Sequence, residues 1–450
     1  MTKIELAGIQ NIYFIGIGGI SMSGLAHVLH ASGYMVRGSD RQENQQTAEL
    51  EQLGIVIDKA QASEYITPDI DLVVYTAAIH PDNPQYIAAQ SLGLPMYSRA
   101  KLLGIIIDHY PGAVCIAGTH GKTTTTTMLS HLIMSLGVKP TVSVGAHVDA
   151  IGGNFLLGDS PYFVVESCEY NDSFLEFRPR VGVILNLEFD HPDHFRDLAH
   201  MEQSFKQFAK GVSEVLIINR GIANWREIVA QTGAQVITFG EDDGEHDVSF
   251  DASQAGGFSL TQDSLTHWYD LPVIGRHNIE NATAALAALR AIGLDAPQAN
   301  FATYANPQRR LQHKGHTPTG ALVIDDYAHH PTEIMVTLAA LRKAYPHSHI
   351  HCLFQPHTYS RTLGLLDEFA TAFADCDTVY LLDIYGARET DNGRVHTRDL
   401  QKKITNTKTQ YFQAFDEARD FFEKKLSKND LLITLGATNV YTIGEMLVKK

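Results

Sequence analysis

The feature of this 450-residue sequence that most restricts its fold is alternation. Apolar runs of five or six residues recur almost throughout, separated by amphipathic stretches of 10 to 15 residues. A short apolar run reads as a strand buried on both faces, and an amphipathic stretch as a helix covering it, so the chain is expected to be α/β, built from βα units around mostly parallel sheets. Three such series follow one another. The first has strands at 11–17, 34–40, 54–58 and 71–78. The second has strands at 113–118, 162–167, 180–187, 214–220 and 234–240, then hairpin strands in the polar region 240–270 and a helix over 275–293. The polar stretch 308–320 reads as a linker, and a third βα series follows it. The expected domains are 1–108, 109–314 and 315–450.

Between the apolar run 113–118 and the helix expected over 121–136 stands Gly118-Thr119-His120-Gly121-Lys122-Thr123-Thr124. A glycine-rich turn between strand and helix points backbone N–H groups at a phosphate, and the helix dipole adds to the attraction. Lys122 then neutralises phosphate charge, and Thr123 is placed to reach Mg²⁺. The strict phosphate-loop spacing puts another Gly at 116, where this chain has Ile116.

Other candidate groups also follow expected strands, where open α/β sheets bind ligands. Gly16, Gly18 and Gly19 follow the first strand, Ser21 takes the place of a third fingerprint glycine, and Asp40 ends the second strand. Glu166 and Glu169, then Asn186, Asp190, His191, Asp193 and His194, follow two strands of the second series; carboxylate and imidazole suit Mg²⁺ or Mn²⁺ better than a closed zinc site. Asp193 and His194 read rather as loop and capping residues. In the third series Asp326, Tyr327, His329, His330, His357 and Arg361 cluster on two loops and suggest a second ligand.

With 35 basic and 51 acidic residues the formal charge is −16, which argues against nucleic acid or an anionic membrane as partner. The four cysteines form no C-x-x-C and sit mostly beside apolar residues, so buried reduced thiols and a cytoplasmic setting are expected. No charged-then-apolar leader precedes the first strand, and no uninterrupted apolar window reaches a membrane span.

Taken together, "GTHGKTT", "RHNIENA", "IGIGGISMSG", "YSRA", "DDYAHHPTE" and "QPHTYSRT" resemble the Mur ligases, ATP-dependent amide-forming enzymes of peptidoglycan assembly, over nearly the whole chain, and the alanine-adding branch most closely. The resemblance implies Rossmann-like first and third domains flanking a phosphate-loop ATPase domain. It implies ATP and Mg²⁺, with Mn²⁺ as an alternative, and UDP-N-acetylmuramate and L-alanine as substrates of a monomer or homodimer. Gly118 to Thr124, with His277, Asn278, Asn281, Arg310 and Asp326, would hold the nucleotide; Thr123 and Glu166 would serve one metal, and His191 a second. Gly16, Gly18, Gly19, Asp40, Ser98, Arg99 and Glu169 would face the sugar nucleotide, and Tyr327, His329 and Arg361 the amino acid. Lys122, Glu166, His191, His329 and Arg361 would carry the chemistry, with His329 or a nearby carboxylate accepting the amine's proton. Family departures are Ser21, Thr358 where many members have Arg, and "GATN" at 436–439; Lys206 is left unassigned. Other possibilities are a relative that attaches a preformed tripeptide to the same sugar nucleotide, a nicotinamide oxidoreductase using Gly16 to Asp40, and a nucleotide switch without chemistry.

Overall fold

Every residue of Gly112–Ala117 is buried, as a run without polar alternation must be when helices cover both faces of its sheet. The same holds for Val181–Ile184. The structure, a computed structural model, describes residues 2–76, 79–252, 256–294, 299–387 and 389–449. Among these the strands form three sheets of five, ten and six strands, and the α/β, three-domain expectation holds.

The first sheet is wholly parallel, in the order Val56–Asp58, Met35–Ser39, Asn11–Ile15, Leu72–Tyr75, Met96–Ser98. Its order reverses beside Asn11–Ile15, so the crevice at the strands' carboxyl ends opens where Gly16 to Gly19 emerge. Ala77 and Ala78, which end the strand expected over 71–78, lie outside the described residues.

In the central sheet Gly112–Ala117 lies between Val181–Ile184 and Tyr162–Glu166. This brings the loops after residues 117, 166 and 184 to one edge. Thr141–Val148 and Gly153–Leu156 extend that side of the sheet, and the antiparallel strands Gly257–Gln262 and Leu265–Asp270 close the other. The third sheet is parallel except for Gln312–His316, which pairs antiparallel with Leu322–Asp326.

Two expectations need correction, and the strand Thr141–Val148 stands where none was expected. The stretch 308–320 is not simply a linker, because Gln312–His316 forms an edge strand; its polar composition reflects a half-exposed edge. Thr141–Val148 has no continuous apolar run because Gly145 and His147 interrupt it, and its place in the sheet comes from pairing with Tyr162–Glu166. Cys115, Cys352 and Cys376 are buried free thiols, but Cys168 is exposed, sitting on the loop after a strand rather than within it.

The three domains are joined unequally. One continuous apolar cluster runs from Phe14, Leu25 and Leu103 in the first domain to Phe163, Phe174 and Phe208 in the second. Phe155 lies against Gly24, where a Cβ would collide with its ring. The third domain has its own apolar clusters; Phe189 of the second domain packs against one of them, and charged and polar pairs also cross the seam. No described helix is long and apolar enough to cross a membrane.

Phe174 is fully buried, stacked on Phe208 at 5.0 Å and edge-on to Phe205 at 5.2 Å. Phe174→Ala is expected to cost about 3–5 kcal/mol. Calorimetry should show the first and second domains melting together at a lower temperature, with the third little changed.

Candidate active site

The phosphate loop leaves the buried strand Gly112–Ala117 and enters the helix Lys122–Ser135 through Gly121, whose φ of +82° is left-handed. A side chain there would be strained and would strike Asn281. Asn186 fastens the loop from the neighbouring strand: its Oδ1 accepts the His120 N–H at 2.8 Å, and its Nδ2 donates to the His120 carbonyl at 3.0 Å. The Thr119 hydroxyl donates to the Glu188 carbonyl at 3.0 Å.

Lys122 turns back into this loop. Its Nζ donates to the Gly118 and Thr119 carbonyls at 2.5 and 3.0 Å and to Glu169 Oε2 at 2.8 Å. Burial works against the ammonium, but the Glu169 carboxylate outweighs it and holds Lys122 protonated. Glu169, expected to face the sugar, is fully buried; it lies beneath the site, tied to Lys122 and 3.5 Å from His191 Nε2.

Beside the lysine, the Thr123 hydroxyl lies 3.0 Å from both carboxylate oxygens of Glu166. Glu166 also accepts the Gly145 N–H at 2.6 Å, and a Cβ at position 145 would come within 2.8 Å of that carboxylate. These hard oxygens suit a small cation such as Mg²⁺ or Mn²⁺. His191 has a left-handed φ of +54°, a conformation a non-glycine residue holds only under surrounding constraint; Asp190 Oδ1 supplies part of it by accepting the His191 N–H at 2.7 Å. Asp193 and His194 stand outside this group, bonded to Tyr170 and Asp172 respectively.

A cleft of about 180 Å³ adjoins the loop between the second and third domains. His120, Gly121, Thr124, His277, Asn278, Asn281, Arg310 and Asp326 line it, as expected from sequence, together with Asn306 and Glu333, which were not singled out. Glu333 stood in the quoted "DDYAHHPTE", but only the fold turns it towards the loop. Asn278 Nδ2 donates to the Ile274 carbonyl at 2.6 Å, so part of its role is to hold its own helix. Burial, helped by Arg310, lowers the His277 pKa to about 4. Burial raises the Asp326 carboxyl to about 6 against the pull of Arg310, while its oxygens accept the Leu311 and Ala328 N–H groups.

The two domains clasp across this cleft. His120 Nε2 is 3.3 Å from Glu188 and Nδ1 is 3.2 Å from Glu333. Burial opposes its charge, but Glu333 and Glu188 raise its pKa to about 9. His120, Glu188 and His330 lie close enough together to hold a metal. The His330 ring is already spent, however, with Nε2 on the Phe189 carbonyl and Nδ1 capping the helix that begins at Pro331. A second clasp is buried: Arg361 donates to Asp190 at 2.7 and 3.2 Å. Burial disfavours the Asp190 carboxylate, yet Arg361 holds its pKa far below the usual range. Arg361, expected to meet an amino acid, therefore spends two of its donor groups on the central domain. Tyr327 lies under Arg309 and Arg310. Burial drives the His329 pKa down to about 3, so at neutral pH it is an uncharged and weak proton acceptor.

In the first domain Asp40 does not present a free carboxylate. Its Oδ2 accepts the Gly18 N–H at 2.9 Å and its Oδ1 the Gln42 N–H at 3.1 Å, bracing the glycine loop. Gly19 starts the helix Ile20–Ala31, and Gly16 turns with φ +82°. The Ser98 hydroxyl caps the helix Arg99–Asp108. Arg99 is largely withdrawn from solvent, which lowers its pKa. Among the described residues no carboxylate pairs with it.

Three family models match in succession: the Mur ligase family, catalytic domain, over residues 11–111; the Mur ligase middle domain over 116–289; and the Mur ligase, glutamate ligase domain over 309–438. The chain is 43% identical over 461 residues to a UDP-N-acetylmuramate--L-alanine ligase from Agathobacter rectalis, a match covering 100% of both chains. Among solved structures it resembles the UDP-N-acetylmuramate-alanine ligase MurC of Thermotoga maritima, with a TM-score of 0.77, 26% identity and 98% of each chain covered. It also resembles the UDP-N-acetylmuramate:L-alanyl-gamma-D-glutamyl-meso-diaminopimelate ligase of Neisseria meningitides, with a TM-score of 0.60 and 28% identity, covering 67% of this chain and 100% of that one. The phosphate loop, the oxygen-rich pocket beside it and all three matched segments lead to one conclusion: this chain belongs to the Mur ligase family.

Proposed function

We propose that this protein is a cytoplasmic ATP-dependent ligase that joins L-alanine to the lactyl carboxylate of UDP-N-acetylmuramate, in the synthesis of peptidoglycan precursors. The observation that carries this reading is the buried Lys122–Glu169 pair at the head of the phosphate loop, with Thr123 and Glu166 beside it. The full-length relative at 43% identity supports the choice of amine.

A carboxylate and an amine do not condense in neutral water, so the carboxylate must first gain a leaving group. The lactyl carboxylate takes the γ-phosphoryl group of ATP, giving an acyl phosphate and ADP; the amine of L-alanine then adds to the acyl carbon and phosphate leaves. Lys122 offsets the charge that repels the incoming carboxylate, and the loop N–H groups orient the phosphates, which is catalysis by position and electrostatics. Thr123, Glu166 and His191 would hold Mg²⁺, which when bound neutralises phosphate charge. His277, Asn281, Arg310 and Asp326 hold the nucleoside end. Gly16, Gly18 and Gly19, shaped by Asp40, receive the sugar nucleotide, and Ser98 sets the start of the helix that carries Arg99. The unpaired Arg99 guanidinium suits an anionic part of that substrate. Tyr327 and Arg361 border the amino-acid side. Given its low pKa, His329 is better suited to donating a hydrogen bond there than to removing the amine's proton.

The acyl phosphate must be kept from water, and the clasps do this by holding the third domain closed.

Lys122→Ala should lower alanine-dependent ADP release by at least about a hundredfold while UDP-N-acetylmuramate binding stays intact; retained turnover would remove Lys122 from the mechanism. His191→Ala should raise the Mg²⁺ concentration needed for half-maximal rate. Phosphate release screened across amino acids should respond to L-alanine, whereas a response to the tripeptide L-alanyl-γ-D-glutamyl-meso-diaminopimelate alone would reassign the amine. The His120 pKa is raised from its ordinary 6.5 to about 9, so its clasp is complete below the first value and lost as pH rises through the second. Small-angle scattering should therefore show wild-type protein expanding across about pH 9, a step missing from His120→Gln.

A further inference from the structure

One carboxylate in the seam between the second and third domains serves both sides at once. Glu333 stands in the first turn of the helix Pro331–Ala344, with 13% of its side chain exposed. Its Oε2 accepts the N–H groups of His329 and His330 at 3.0 and 3.3 Å and lies 3.3 Å from His329 Nδ1. Its Oε1 points the other way, 3.2 Å from His120 Nδ1 in the phosphate loop. A helix cap needs only the first of these oxygens; the second leaves the helix and crosses the seam.

On the ligase reading above, we propose that Glu333 is a positioning residue: it passes the state of the phosphate loop, through His120, to the turn that carries Tyr327 and His329, and so raises the affinity for L-alanine once nucleotide is bound. His120 does not shift alone, because Asn186 grips its N–H and its carbonyl at 2.8 and 3.0 Å, so its ring moves with the loop. Its Nε2 is 3.3 Å from Glu188, which leaves Nδ1 to face Glu333. Burial disfavours the Glu333 carboxylate, but the histidines and Arg310 around it hold its pKa well below the usual range. Both of its oxygens are therefore acceptors at neutral pH. Bonds between charged partners are short and roughly twice as strong as neutral ones, so a displacement of His120 is felt at Glu333. On the other side, the two N–H bonds fix the backbone of residues 329 and 330. His329 Nδ1 is also 3.1 Å from the Tyr327 carbonyl, so the turn moves as a unit.

Other contacts cross the same seam. The Thr332 hydroxyl donates to Glu188 at 2.5 Å, and Arg361 donates to Asp190. Both hold the domains together, but neither joins His120 directly to the backbone of residues 329 and 330. The His120 ring also lies against that of His330, with 4.6 Å between centroids, a contact that sets no hydrogen bond. If nucleotide tightens L-alanine through Glu333, L-alanine tightens nucleotide by the same factor.

The test titrates L-alanine calorimetrically into the full-length protein holding UDP-N-acetylmuramate, with and without a nonhydrolysable ATP analogue and Mg²⁺, and reads the ratio of the two Kd values. In the wild type the analogue should tighten L-alanine about fivefold or more. Glu333→Ala and His120→Phe cut the link from opposite ends, the second keeping a ring against His330. Each should erase that gain, and the double variant should lose nothing further. Thr332→Val removes a seam contact but leaves the link, so it should keep the gain, whereas a merely structural role for Glu333 would make all three single variants lose it alike. Should Glu333→Ala not fold, His120→Phe decides alone. A gain that survives His120→Phe, or one lost equally in Thr332→Val, would overturn the role of Glu333. A wild type that binds L-alanine equally with and without the analogue would overturn the coupling alone, while one that binds no L-alanine would overturn the ligase reading as well.

Discussion

A buried ammonium facing a buried carboxylate organises this molecule. Lys122 and Glu169 lie 2.8 Å apart, the carboxylate fully out of solvent, and removing either would leave an uncompensated charge in the interior, which typically costs about 3–5 kcal/mol. The pair therefore constrains its surroundings. The phosphate loop must place its carbonyls around the ammonium, the strand Tyr162–Glu166 must end where Glu169 can reach it, and Asn186 must hold the loop from the other side. Those three segments come from adjacent strands of one parallel sheet, and parallel pairing keeps their carboxyl ends level.

Around this fixed centre the domains are joined by different physics. An apolar core shared by the first two makes a single stable platform for the sugar nucleotide and the phosphate loop. The third is attached by Phe189 packed on its core and by polar pairs: Arg361 with Asp190, His120 with Glu333, and Thr332 with Glu188. Apolar contact is non-directional and resists separation, whereas polar contacts exchange readily with water once a seam opens. A ligase that must admit three substrates and then exclude water from an activated intermediate needs one seam of each kind.

Much of this was legible in the amino-acid order because the signals were local. The strand, glycine loop and helix around Gly121 declare themselves through periodicity and turn chemistry, and Glu166 and His191 were singled out because strand ends can be counted; the fold sets both close to the phosphate loop. Signals that depend on distant pairing were not legible. Glu333 meets His120 across 213 residues of chain, and nothing near either residue announces it. The strand Gln312–His316 is too polar to be recognised without its partner. Glu169 was read as a group presented to substrate, but the fold buries it beside Lys122; Asp40 braces the glycine loop while staying partly exposed.

By itself, then, the sequence determined the α/β class, the three successive units, the phosphate loop and the family, because each is written in short-range patterns of apolar, glycine and charged residues. Only the tertiary structure decided which charges face each other and which face substrate. It set Arg361 on Asp190, and made His329 neutral and His120 charged. Burial and the identity of the nearest opposite charge govern all of these, and both belong to positions in space rather than to positions in the chain.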